Sequence, residues 1–226
     1  MQMQKRIVAG ATLLAGLTAA PALAAASGPQ VSVRLEGLNS TLLAAKTISV
    51  PAGGSITKGG VTPGLCPADS AQGALAVATR GNWTGSWSAS FKEYEVTGIL
   101  GDTPNIKRDY YEIFVNNVAA STGACEIKLK AGAKLLFAVV PDSGKAETPL
   151  GITWQISDSK LVAKVIAYNA RGIASPLSGA KVTADRRSST TAADGTATFP
   201  APARTETLVA TASGHIRDEI TVSVAR

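Results

Sequence analysis

After residue 26 a single stretch reads as a helix, Asp69 to Arg80 (DSAQGALAVATR), and that scarcity limits the fold more than any other feature of the chain. An Asp or Ser there can cap the first turn, and Leu75 shares a face with Ala71, Ala74 and Ala78. The remainder consists of short runs with a period of two, separated by Gly, Pro and Ser. Val31, Val33 and Leu35 alternate with Ser32, Arg34 and Glu36, the pattern of a half-buried strand, and Leu42 to Val50 reads as its antiparallel partner. A long Gly-rich loop region, through Pro51-Ala52-Gly53-Gly54 and Gly59-Gly60, then leads to Cys66. Beyond the helix come Phe91 to Leu100, Tyr110 to Asn116 and Glu126 to Leu129. Leu135 to Val140 is a nearly continuous apolar run suited to a central strand. Asn116-Asn117 and Ala131-Gly132 supply tight turns. One helix on a mixed sheet of about five or six strands predicts an α+β, β-grasp-like module in a mainly β chain.

A second module carries no helix signal. Leu161 to Asn169, Ala180 to Asp185, Thr191 to Phe199, Thr207 to Ser213 and Glu219 to Val224 are strand-length runs at β-sandwich spacing, with Asp194-Gly195 as a hairpin turn. Pro141 to Pro149 and Ser157 to Ser159 are polar intervals, and the boundary is drawn near residue 156. The expected division is 1–26, 27–156 and 157–226.

The first of these three segments is expected to be an export signal. Lys5 and Arg6 precede an uncharged apolar run, Ile7 to Ala20, and Pro21 ends it before two small-residue sites, Ala22-Leu23-Ala24 and Ala24-Ala25-Ala26. Cleavage is expected after Ala24 or Ala26. No later run is long and apolar enough for a membrane span, and Cys66, the first cysteine, lies too far on for a lipid anchor. The mature protein is therefore expected to be released and extracellular. In an oxidising compartment the two cysteines are expected to pair, Cys66 with Cys125, the alternative being two buried thiols. No histidine lies near either, so zinc lacks further ligands.

The whole chain has 22 basic and 16 acidic residues. Removing Lys5 and Arg6 leaves a net +4, scattered, with only Lys107-Arg108 and Arg186-Arg187 adjacent. Nucleic-acid binding needs a basic stripe, and none is present. His215 is the sole histidine, placed in a surface turn, which leaves no base for a Ser-His-Asp or Cys-His arrangement. No HExxH, CxxC or phosphate-loop pattern occurs, and no cofactor is expected. Glu93 and Glu95 share a strand face that reads as solvated. The aromatics are the remaining lead. Trp83 and Trp87 stand in a polar, glycine-bearing segment, and with Tyr110 they are the candidates for a shallow ligand platform; the competing reading packs both indoles into the core.

The run from Val31 to Val140 resembles the domain of unknown function related to the C-terminal β-domain of transcobalamin and intrinsic factor. The resemblance rests on Glu36-Gly37 closing the first strand, the small-residue helix, the Tyr94-to-Ile99 strand, and Tyr110 to Asn117 followed by Ala119 to Ala124. Asn117 replaces the family's usual turn glycine, and Lys134 to Phe137 replaces an aspartate and tryptophan pattern. In the vitamin carriers this domain caps cobalamin against a helical barrel, which this chain does not supply. Residues 175 to 226 are similar to carboxypeptidase-regulatory-like and bacterial Ig-like domains, on Pro176 to Ala184, Thr191 to Phe199 and Leu208 to Gly214. Together these resemblances imply a secreted, non-enzymatic binding or adhesion module of a bacterial surface. Its partner would be an extracellular protein, a polysaccharide or a small molecule. A cobalamin-like ligand cap, or an accessory module of a separate enzyme, is the alternative.

Overall fold

Period-two alternation becomes sheet wherever a second layer can cover its apolar face. The computed structural model describes residues 27–145 and 147–223. The export signal read over 1–26 lies outside them. Strands β1 (Ser27–Glu36) and β2 (Thr41–Pro51) form an antiparallel hairpin. Helix α1 (Ala71–Ala78) follows, capped by Ser70, whose Oγ accepts from the Gly73 amide. It ends as Arg80 enters the left-handed region (φ 53°), with Gly81 N–H donating to Ala76 and Arg80 N–H to Val77, the paired bonds of a Schellman stop.

Next come a two-stranded ribbon, β3 (Trp83–Ser88) with β4 (Glu93–Ile99), then β5 (Asp109–Val115), the short β6 (Val118–Ala119) and β7 (Lys134–Pro141). The first sheet has the order β2-β1-β7-β5-β6, with β7 parallel to β1 and antiparallel to β5. Leu135 and Phe137 of β7 face one core, and Leu136, Ala138 and Val140 face another. Burial on both faces is what a continuous apolar run requires. Asn116 and Asn117 turn the chain with φ of 51° and 67°.

The second half contains β8 (Thr148–Ser157), β9 (Lys160–Tyr168), β10 (Ala174–Pro176), β11 (Lys181–Ala184), β12 (Arg187–Thr190), β13 (Thr196–Pro200), β14 (Glu206–Thr211), β15 (His215–Ile216) and β16 (Asp218–Val222). One sheet orders β10-β9-β8-β15, with β13 beside β10 on the same edge of β9, and the other orders β12-β11-β14-β16. Leu150, Leu161, Val165, Val182, Phe199 and Leu208 meet between them, a mainly β, sandwich-like packing.

The structure departs from the sequence expectations in four places. Residue 156 lies inside β8, which pairs with β9 from Leu150 to Ser157, so a division there cuts a hairpin. Leu150 and Ile152 already belong to the second core. Glu126 to Leu129 forms no strand. The Ile127 carbonyl, with that of Ala124 just before the run, accepts instead from the amides of Ala71 and Gln72, two of the donors a helix start leaves open. The Asp194-Gly195 turn closes no hairpin, because β12 pairs with β11 in one sheet while β13 pairs with β9 in the other. Finally, the polar run Trp83–Ser88 and the run Thr148–Ser157 are strands that the alternation did not announce.

Candidate ligand cleft at the seam

The aromatic residues separate. Trp83 is 2 % exposed and belongs to the first core, so it has no face to offer a ligand. Trp87 is half-buried against the same core. Both indoles meet the Tyr94 ring edge-on, with centroids 5.1 Å away in each case, and the Lys58 ammonium lies 4.7 Å above the Trp83 ring. Tyr110 stands on β5 opposite Val140, 47 % exposed, and makes no ring contact with either tryptophan. The three do not assemble into one platform. Glu93 is likewise not on a solvated face: it is half-buried, and its carboxylate accepts from the Cys125 amide at 2.9 and 3.1 Å. Burial raises its pKa, against the pull of those amide donors. That contact lies beside the Cys66–Cys125 disulfide, which is formed.

Charge collects instead where the first sheet meets the sandwich. Ile216 of β15 packs among Phe114, Leu136, Ala138 and Val140, and beside this apolar contact sits a group of buried ions. Arg34 projects from β1 on the polar side of the alternation. Its Nη1 donates to Asp218 of β16 and to the Leu150 carbonyl of β8 at 3.3 Å. Its Nε stands 3.5 Å from Glu36 Oε1, an ion-pair distance too long for a well-formed hydrogen bond. Asp218 also accepts from the amides of Ile152 (2.8 Å) and Glu219 (3.0 Å).

Glu36 is fully buried, and its Oε2 accepts from the Thr41 hydroxyl at 2.8 Å. Desolvation pushes its pKa up to about 7 despite the nearby Arg34 guanidinium. Asp218 is raised for the same reason, with Arg34 and the Ile152 amide opposing. Glu36 Oε1 and the Nε and Nη1 of Arg217 are buried without a hydrogen-bond partner among the described residues.

A cleft of about 230 Å³ opens on this seam. Its walls are apolar through Leu136, Leu150, Ile152, Ile166 and Ile220, and polar through Ser32, Arg34, Asn117, Lys134, Thr153, Tyr168 and Asp218. Gly151 gives it depth, since a Cβ there would stand 3.2 Å from the Tyr168 ring. Among the described residues no group of three His, Cys, Asp or Glu side chains gathers to hold a metal ion. Sequence reasoning missed Arg34, Glu36 and Asp218 as site residues. Alternation alone assigns Arg34 and Glu36 to solvent, and only a second layer on that face of β1 could have marked them. No family model matches the chain, and no curated protein matches it.

Proposed function

We propose that this chain is an exported, non-enzymatic binding module that holds its ligand in the seam cleft. The cleft carries this reading: at the junction of two β layers it joins an apolar wall to a few convergent polar groups, the arrangement on which small-molecule recognition depends. Neither buried carboxylate is placed for acid-base work. Asp218 is saturated by Arg34 and two backbone amides, and Glu36 is sealed from solvent. The apolar run of residues 7–20 behind Lys5 and Arg6 supports export, and the Cys66–Cys125 bond is compatible with an oxidising compartment.

The transcobalamin-like reading draws support from the order of hairpin, helix and parallel central strand, and the Ig-like reading from the two packed sheets. A corrinoid cap is disfavoured by size, because pockets for drug-sized ligands already run to ~300–1,000 Å³. Amide shift mapping of the ¹⁵N-labelled protein against extracellular glycan and peptide mixtures tests the proposal. Shifts are expected to cluster at Ser32, Asn117, Lys134 and Tyr168. Shifts confined to the β3–β4 ribbon, or turnover of any probe, would overturn it.

A further inference from the structure

The cleft has unequal numbers of free donors and free acceptors. Each oxygen of Asp218, the one carboxylate lining it, already accepts hydrogen bonds: Oδ1 from Arg34 and the Glu219 amide, Oδ2 from the Ile152 amide. On the donor side, Arg34 spends Nη1 on Asp218 and Leu150, and its Nη2 makes no hydrogen bond to the described residues. The Lys134 ammonium has neither a hydrogen bond nor a carboxylate within ion-pair distance among them; its engaged groups are on the backbone, the amide donating to Asn116 Oδ1 at 2.9 Å and the carbonyl accepting from the Asn116 amide at 2.8 Å. Lys134 is therefore the unpaired cation at the cleft, and Arg34, ion-paired with Asp218 and 3.5 Å from Glu36, adds Nη2 as an unused donor. The exposed Lys134 ammonium is held by water alone, and a ligand carboxylate can replace that water with a charge-assisted hydrogen bond.

Around these cations stand hydroxyls and an amide, Ser32, Thr153, Tyr168 and Asn117, opposite the Leu136, Ile152 and Ile166 wall. Such a lining suits a compact molecule with one anionic end, several hydroxyls and an apolar ring face. Both Asp218 oxygens already accept hydrogen bonds, so no unengaged carboxylate among the cleft residues is on hand to receive a ligand cation.

We propose that the seam cleft takes a small hydroxylated carboxylate, such as a hexuronate or the acidic end of a polysaccharide, with Lys134 as its counter-charge and Arg34 Nη2 as a further donor. The inference rests on the seam being the binding site. Lys134 is an exposed residue at the start of β7, so Lys134→Gln changes charge with little risk to the fold.

The probes are D-glucuronate, D-glucose and D-glucosamine, titrated separately into the full protein and read by amide shifts and calorimetry. D-glucuronate is expected to shift Ser32, Asn117 and Tyr168, to bind roughly fivefold more tightly than D-glucose, and to lose most of that margin in Lys134→Gln. Added salt should weaken D-glucuronate and leave D-glucose unchanged. If D-glucose or D-glucosamine binds the seam as well as D-glucuronate, the anion inference fails while the seam remains a binding site. If none of the three shifts seam residues and a neutral peptide does, the sugar-acid class fails in the same way. Shifts outside the seam for every probe would sink both.

Discussion

An ionised carboxylate at Glu36 would sit out of reach of water, shared among Arg34 on its own strand, the Thr41 hydroxyl on β2, and Asp218 and Arg217 from the sandwich. Its folded-state pKa of about 7 lies above the ordinary 4.5. Below about pH 4.5 the folded and unfolded chains both hold the proton, and the residue costs nothing. Between 4.5 and 7 the unfolded chain releases the proton while the folded chain keeps it, so stability falls, by on the order of 3 kcal/mol above pH 7. Asp218, also raised, adds in the same direction. Glu36→Gln keeps the shape and an acceptor for Thr41 while removing the titration. Its Tm at pH 8 is expected to exceed the parent's by roughly 5 °C or more, and the gap should close by pH 5. Equal Tm differences at both pH values would refute this account of the seam. The same residue shows where sequence reading stops. Val31, Val33 and Leu35 were legible as core from their spacing. Ser32, Arg34 and Glu36 look like a wetted face until a layer from residues 150 and 218 covers them.

Local pattern carries furthest where an element is long and covered on a predictable face. Strands β1, β5, β7, β9 and β14 and the core of α1 were readable in that way. The Glu126 to Leu129 run was not, because its alternation is incidental: the Ile127 carbonyl helps close the helix start, and Cys125 just before the run is tied to Cys66. With its cysteines 59 positions apart in sequence, that bond contributes on the order of 4 kcal/mol by chain entropy. The Asp194-Gly195 pair shows a second limit. Turn chemistry fixes a reversal of direction, but whether the flanking strands pair depends on the two sheets between which the chain crosses.

Element-scale precision is tested at Gly123. A Cβ there would lie 2.0 Å from Glu93 Oε2, so the glycine is required by the close approach of that carboxylate. Gly123→Ala is expected to push Glu93 off the Cys125 amide and to cost about 1–3 kcal/mol in denaturant unfolding. Combined with Glu93→Ala the losses should be clearly less than additive, since both changes break one contact. Additive losses would mean that Glu93 and Gly123 act apart.

At the scale of the whole molecule, the first sheet and the sandwich each have a core, and the contacts that join them include β2 against β16, one isoleucine among four apolar side chains, and Arg34 reaching across to Asp218 and Leu150. Ion pairs in such places seldom add much net stability, yet removing one partner strands the other in low dielectric, typically at a cost of 3–5 kcal/mol. Arg34→Met keeps the stem's packing and deletes the charge, leaving two carboxylates facing each other across the seam. It should therefore destabilise the protein strongly at pH 8. At pH 5, where Glu36 holds its proton, the penalty should shrink. Asp218→Asn in the same background should restore part of the loss, because it removes a stranded charge and keeps an acceptor for the Ile152 amide. Calorimetry should also show the parent unfolding in one transition and Arg34→Met unfolding in two, as the halves lose their shared ion pair while Ile216 stays in place. A variant that unfolds in one transition at the parent's temperature at both pH values would show that the layers are joined without the ion pair. The charges at the seam would then serve the cleft and not the joint.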